Sequence, residues 1–72
     1  MNYKYQINIV WGQEDECYLV YLPDFEQEIM QPVTHGETYR EALQHGLEVM
    51  EELILDLQAE GKSLPVAKLV SA

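Results

Sequence analysis

The amino-acid sequence predicts an α+β fold in which a three-stranded antiparallel sheet packs against one long helix. Apolar residues at every second position near the start of the chain indicate strands, and apolar residues three and four apart in the second half indicate a helix. The chain has 72 residues, the length of one small domain spanning 1–72. The expected order is β-β-β-α, and the last segment, 62–72, is either a short fourth strand or a tail.

The first two strands are predicted to form a hairpin. In YKYQINIVW, residues 3–11, aromatic and β-branched residues alternate with polar ones, as in a strand with one apolar face. The turn-forming residues GQED, 12–15, separate this strand from the almost continuously apolar run ECYLVYLP, 16–23. We expect the centre of that second run to be covered on both faces. Pro23 ends it, because proline has no N–H to donate to a neighbouring strand.

The segment after Pro23 has a weaker pattern. A short third strand is expected around Met30–Thr34. Pro32 places this strand at an edge of the sheet or at a bulge, since a central strand needs its N–H groups.

The helix is predicted to begin at a capping motif. Thr38 is a good N-cap residue, because its hydroxyl accepts a hydrogen bond from a backbone N–H two or three residues later. Glu41 completes a capping box by reaching back to the N–H of the cap residue. Gly36 supplies the turn before the helix, and Gly61 ends the helix. The stripe expected to face the sheet is Tyr39, Ala42, Leu43, Gly46, Leu47, Met50, Leu53, Ile54 and Leu57.

Composition and charge restrict the function. Thirteen acids and four bases give a formal net charge of −9, which repels nucleic acid and attracts basic partners. A chain this short has too few residues to enclose both a core and a deep catalytic cleft. The single cysteine, Cys17, forms no internal disulfide, and neither a signal peptide nor a membrane-spanning run is visible, so we expect a cytoplasmic location.

Residues that carry catalytic or metal chemistry are sparse. His35, His45 and Cys17 lack the spacing of a zinc motif, and histidines in such positions are more often solvated or hydrogen-bonded. Two-metal hydrolysis needs converging carboxylates, whereas the first strand contains none. We therefore expect no catalytic residue, no metal and no cofactor.

The acids of the helix are the strongest candidates for function. Like charges recur four residues apart and destabilise a helix slightly, and no base stands between Arg40 and Lys62. A surface selected only for solubility would normally include lysines, although a plain acidic surface remains the alternative. The predicted partner-binding residues are Glu48, Glu51, Glu52 and Asp56, with Asp24 and Glu26 as secondary candidates. Tyr18, Tyr21 and Phe25 are candidates for an apolar centre of the same interface, with core packing as the alternative role.

Two stretches resemble a known family. The runs W-x-x-E-D-x-x-Y-L-V-Y-L-P-D-F, 11–25, and T-H-G-E-T-Y-R-E-A-L-Q-H-G-L-E-V-M, 34–50, are similar to those of HicB antitoxins, and the likeness covers about residues 3–61. The resemblance implies a degenerate, non-catalytic ribonuclease H-like sheet with one long helix. It also implies a basic partner, the small mRNA-cleaving toxin HicA, whose RNA-binding surface the antitoxin would cover.

The chain departs from the family pattern in two places. About eleven residues follow Gly61, too few for the DNA-binding domain that many members carry, so we expect no direct contact with nucleic acid. The segment FEQEIMQPVT, 25–34, is longer than the usual family turn and lacks its glycine. Two alternatives remain: an orphan HicB-like homo-oligomer, such as a homodimer paired through the third or last strand, and a residual metal-dependent nuclease.

Overall fold

The computed structural model describes residues 3–71 and shows the predicted α+β architecture, with one antiparallel sheet and one long helix. A short 3-10 helix follows the second strand. The elements in chain order are β1 (Asn8–Gly12), β2 (Cys17–Tyr21), the 3-10 helix (Pro23–Phe25), β3 (Thr34–Gly36) and α1 (Tyr39–Ala59).

The sheet has the order β1-β2-β3, so β2 is central. The predicted hairpin is confirmed: β1 and β2 pair antiparallel, with Ile9 opposite Val20 and Trp11 opposite Tyr18. The turn between them is closed by a hydrogen bond from the Glu16 N–H to the Gly12 carbonyl at 2.8 Å.

The first strand is shorter than predicted. It begins at Asn8, whose partner Tyr21 is the last residue of β2. Beyond Tyr21 the chain turns into the 3-10 helix, which leaves residues 3–7 without a strand to pair with. The N–H of Gln6 instead donates to the Asp24 carboxylate at 3.0 Å.

The third strand lies later in the chain than the prediction around Met30–Thr34. The side chain of Gln31 occupies the place of a strand partner, because it accepts from the Leu22 N–H at 2.8 Å and donates to the Leu22 carbonyl at 3.0 Å. Regular pairing starts only at Thr34, opposite Val20.

Both ends of α1 follow the predicted capping chemistry, with one correction. The Thr38 hydroxyl accepts from the Glu41 N–H at 3.0 Å, as expected of an N-cap. The Glu41 carboxylate reaches past the cap residue and accepts from the Glu37 N–H at 3.0 Å. At the other end Gly61 has a φ of 72°, and the N–H groups of Gly61 and Lys62 bond to the Gln58 and Leu57 carbonyls in a Schellman motif.

Gly36 is required for close packing between β3 and α1. The sequence had predicted a different role for it, which was to supply conformational freedom in the turn before the helix. A Cβ atom at this position would lie 2.4 Å from the backbone nitrogen of Ala42, far inside contact distance. Only a glycine lets β3 approach the first turn of α1 this closely.

The core lies between α1 and one face of the sheet. The buried apolar residues are Val20, Leu22, Phe25, Ala42, Met50, Ile54 and Leu57. Tyr39, Leu43 and Leu47, predicted to belong to the buried stripe, are exposed by 63%, 43% and 39%. The opposite face of the sheet has no covering layer within the described residues, which corrects the expectation for β2: Leu19 and Tyr21 are only half-buried there.

The segment after α1 is a tail up to its last described residue, Ser71. It is held by three hydrogen bonds: from the Tyr5 hydroxyl to the Pro65 carbonyl at 2.6 Å, from the Gln6 side-chain amide to the Lys68 carbonyl at 3.3 Å, and from the Lys68 N–H to Asp24 at 3.2 Å. No helix among residues 3–71 combines the length and the apolarity that crossing a membrane demands.

Candidate partner-binding surface

The four helix acids predicted to bind a partner are all exposed on α1. Glu48, Glu51 and Glu52 border a shallow depression together with Leu55, on the side of the helix turned away from the sheet. Since α1 has 3.6 residues per turn, positions three and four apart stand next to one another, so these carboxylates form one group. We call Glu48, Glu51, Glu52 and Asp56 the helix acids.

Asp56 also borders a second depression, which the sequence did not indicate. Its other acidic members are Glu28, from the segment after the 3-10 helix, and Glu60, at the end of α1. Glu28 was not selected from the sequence, because only the folded chain brings its segment beside the end of the helix. No spacing in the sequence indicates this contact. Acidic side chains therefore continue from α1 onto this neighbouring segment, and Lys62, which also borders the depression, offsets part of their charge.

The helix acids have no basic partner in the part of the chain that the structure describes. The ion pair found there joins Lys62 to Glu60 at 3.5 Å, with both side chains more than half exposed. Such a pair contributes little, because water screens it. The helix acids are thus left to repel one another, at a cost of about 0.2–0.5 kcal/mol for each pair four residues apart.

Asp24, a secondary candidate, lies inside the fold. It is 8% exposed, and its two carboxylate oxygens accept hydrogen bonds from the N–H groups of Gln6 and Lys68 at 3.0 and 3.2 Å. Two backbone donors compensate for the loss of water around a buried carboxylate. The expectation of an exposed contact residue is therefore corrected: Asp24 joins both terminal segments to the start of the 3-10 helix.

The charge of Asp24 also affects a neighbouring tyrosine. Burial raises the pKa of the Tyr5 hydroxyl, and the negative charges of Asp24 and Glu28 raise it further. The protonated hydroxyl is the form that donates to the Pro65 carbonyl.

Glu26, the other secondary candidate, is exposed just after the 3-10 helix. It borders a depression formed by the chain around Asp24 and the tail; this depression shares Gln27 and Glu28 with the one at Asp56 but contains none of the helix acids. The structure therefore does not bring Glu26 together with the helix acids in one depression.

The three aromatic candidates for an apolar centre have different environments. Phe25 is fully buried and packs edge-on against Tyr5, with ring centroids 4.8 Å apart, so it belongs to the core. Tyr21 is half-buried on the uncovered face of the sheet. Tyr18 lies between Trp11 and Tyr39, at centroid distances of 5.1 and 4.2 Å, and links two aromatic rings that are largely exposed.

The histidines and the cysteine have local environments of their own. His45 Nδ1 lies 2.6 Å from the His35 carbonyl oxygen, and because a carbonyl only accepts, the proton is on Nδ1. Cys17 is a free, half-buried thiol. Within residues 3–71 no three His, Cys, Asp or Glu side chains are grouped in a way that could hold a metal ion.

Comparison of the chain with protein-family models, with curated proteins and with solved structures finds no match.

Proposed function

We propose that this chain is an antitoxin-like binding protein of the HicB type. It would neutralise a basic, HicA-type mRNA-cleaving toxin in the cytoplasm by covering the toxin's RNA-binding surface, without catalysing a reaction. Its sheet and helix would then be a degenerate relative of the ribonuclease H fold.

The observation that carries this proposal is the group of exposed helix acids, none of which forms an ion pair within residues 3–71. A protein that binds RNA does so with Lys and Arg, because these neutralise phosphates. Carboxylates spaced along a rigid helix can take the place of those phosphates. The repulsion among the helix acids in the free chain would be relieved when a cationic surface covers them, and this relief favours the complex.

The shape of the surface also supports binding rather than catalysis. The helix acids line shallow depressions on a convex helix, where water reaches every carboxylate. Small-molecule sites are instead concave and mostly apolar. An open surface of this kind fits the face of another protein.

The proposal is tested by titrating the chain against a HicA-type toxin from the same genome. Glu51→Lys with Glu52→Lys is expected to weaken binding about tenfold or more, because it places two positive charges in the centre of the helix acids. Glu14→Lys with Glu37→Lys is the matched control, since it changes net charge equally at exposed positions outside α1. The wild-type chain should also protect mRNA from the toxin.

If the two double variants lost the same amount of affinity for the toxin, the helix acids would contribute only through the net charge of the chain. If the wild-type chain neither bound the toxin nor protected mRNA, the proposed function would be wrong.

A further inference from the structure

We propose that two copies of this chain associate edge to edge through β1, which joins their sheets into one continuous sheet with both helices on the same face. This inference is independent of the proposed function, because the helix acids take no part in it. It differs from the pairing through the third or last strand that the sequence suggested.

The first observation is that β1 is an open edge. Within residues 3–71 it pairs with β2 alone, so its outer side presents backbone N–H and C=O groups to solvent. The tail binds beside β1 but not on it, since its hydrogen bonds go to Tyr5, Gln6 and Asp24, none of which belongs to β1. An open strand edge is a template for a strand from another chain.

The second observation is that α1 is displaced toward the opposite edge of the sheet. Three contacts fix its position: His45 on the carbonyl of His35 in β3, Ala42 against Gly36 in β3, and Gly46 against Val20 in β2. The side of α1 that points toward β1 is only partly covered: Ile7 approaches it at Gly46, whereas Leu43 and Leu47 stay exposed.

This displacement exposes an apolar surface beside the open edge. Trp11 points to the helix side of the sheet, because it pairs with Tyr18, whose ring packs on Tyr39 of α1. Trp11 is nevertheless 49% exposed, and three apolar side chains of the neighbouring helix, Tyr39, Leu43 and Leu47, are exposed as well. We call Trp11, Tyr39, Leu43 and Leu47 the β1-side surface.

A second copy of this chain fits both features at once. The occupant has to supply a strand edge and, directly above it, an apolar helix flank, and an antiparallel β1–β1 pairing supplies both by symmetry. Trp, Tyr and Leu on each copy would then be covered together, and Val10, which is half exposed on the other face, would lie against Val10 of the second copy.

The distribution of charge permits this contact in a chain of net charge −9. Residues 1–13 contain no acid and one base, Lys4, so β1 is the part of the sheet where two copies repel least. Antiparallel pairing centred on Val10 also brings the acidic turn of each copy, Glu14–Glu16, toward the Lys4 end of the other. The helix acids lie on the outer side of α1 and stay exposed.

Sedimentation equilibrium of the wild-type chain tests the proposal, from about 1 μM to about 500 μM. Twice the monomer mass is expected at the upper end. Leu43→Glu should weaken association about tenfold or more, because it places a carboxylate in the β1-side surface. Leu55→Glu is the matched control: the same change on the same helix, at a residue that is 57% exposed beside the helix acids. It should alter the dissociation constant by less than about twofold.

Trp11 gives a second measurement that needs no variant. It is the only tryptophan, so iodide quenching of its fluorescence should fall as protein concentration rises. A monomer at every concentration would overturn the proposal, and so would a dimer that Leu43→Glu and Leu55→Glu weaken equally. A dimer in which Trp11 stays equally accessible to iodide would place the contact elsewhere and would also overturn it.

Discussion

The carboxylate of Asp24 accepts a hydrogen bond from the backbone N–H of Lys68, 44 residues further along the chain, at 3.2 Å. Its other oxygen accepts from Gln6, near the start of the chain. One buried side chain thus holds both terminal segments against the 3-10 helix, although neither segment forms a strand.

Asp24→Asn is expected to destabilise the fold by about 1–3 kcal/mol, because the amide keeps one acceptor oxygen and leaves one of the two N–H groups without a partner. Urea unfolding followed by circular dichroism measures this loss. Glu26→Gln, the same chemical change at an exposed position two residues on, should cost less than about 0.5 kcal/mol. If both variants lost the same free energy of unfolding, the two hydrogen bonds to Asp24 would contribute nothing to stability.

Gly36→Ala is expected to destabilise the fold by about 1–3 kcal/mol, because the added Cβ meets the backbone of Ala42 and the start of α1 has to move away from β3. Thermal unfolding measures the loss. Gly61→Asn is the comparison: that position has a φ of 72° in open space, and asparagine tolerates this conformation, so the loss should be smaller. A larger loss at Gly61 would contradict the packing role of Gly36.

The raised pKa of Tyr5 predicts that the folded chain loses stability at alkaline pH. Its pKa in the folded chain lies above the ordinary value of 10.0, chiefly because of burial. The folded state therefore holds this proton more tightly than the unfolded state does. The stabilisation is complete below about pH 10 and disappears as pH rises through the folded pKa.

Tyr5→Phe removes both this titration and the hydrogen bond to Pro65. Chemical unfolding at several pH values should show that the variant is less stable than wild type at neutral pH. The difference between their free energies of unfolding should narrow above about pH 10. A constant difference across this range would show that Tyr5 ionisation is not linked to folding.

Much of the fold was predictable because its signals are local. The hairpin follows from two alternating runs around a turn, and the limits of α1 follow from Thr38 at one end and Gly61 at the other. Each depends on residues within a few positions of one another, so no knowledge of the rest of the fold was needed.

The predicted strand limits and burial were wrong where contacts outside the local sequence decided the structure. The strand at 3–7 was lost because β2 is too short to pair with it, and β3 starts late because the Gln31 side chain bonds to Leu22 first. The exposure of Leu43 depends on where α1 sits over the sheet, which periodicity does not specify.

The candidate site was predictable only in part. Helical periodicity correctly placed Glu48, Glu51, Glu52 and Asp56 on an exposed side of α1. It gave no sign that Asp24 is buried, since its two donors come from opposite ends of the chain. Binding of a toxin by the helix acids stays a prediction.

The acids of α1 are concentrated toward its carboxyl end, and its last turn carries no base. The peptide dipoles of a helix also place partial negative charge at that end, so the two contributions add. The helix itself is consequently more negative toward its carboxyl end than toward its amino end. A cationic surface is therefore attracted more strongly to the carboxyl-terminal half of α1 than to its amino-terminal half.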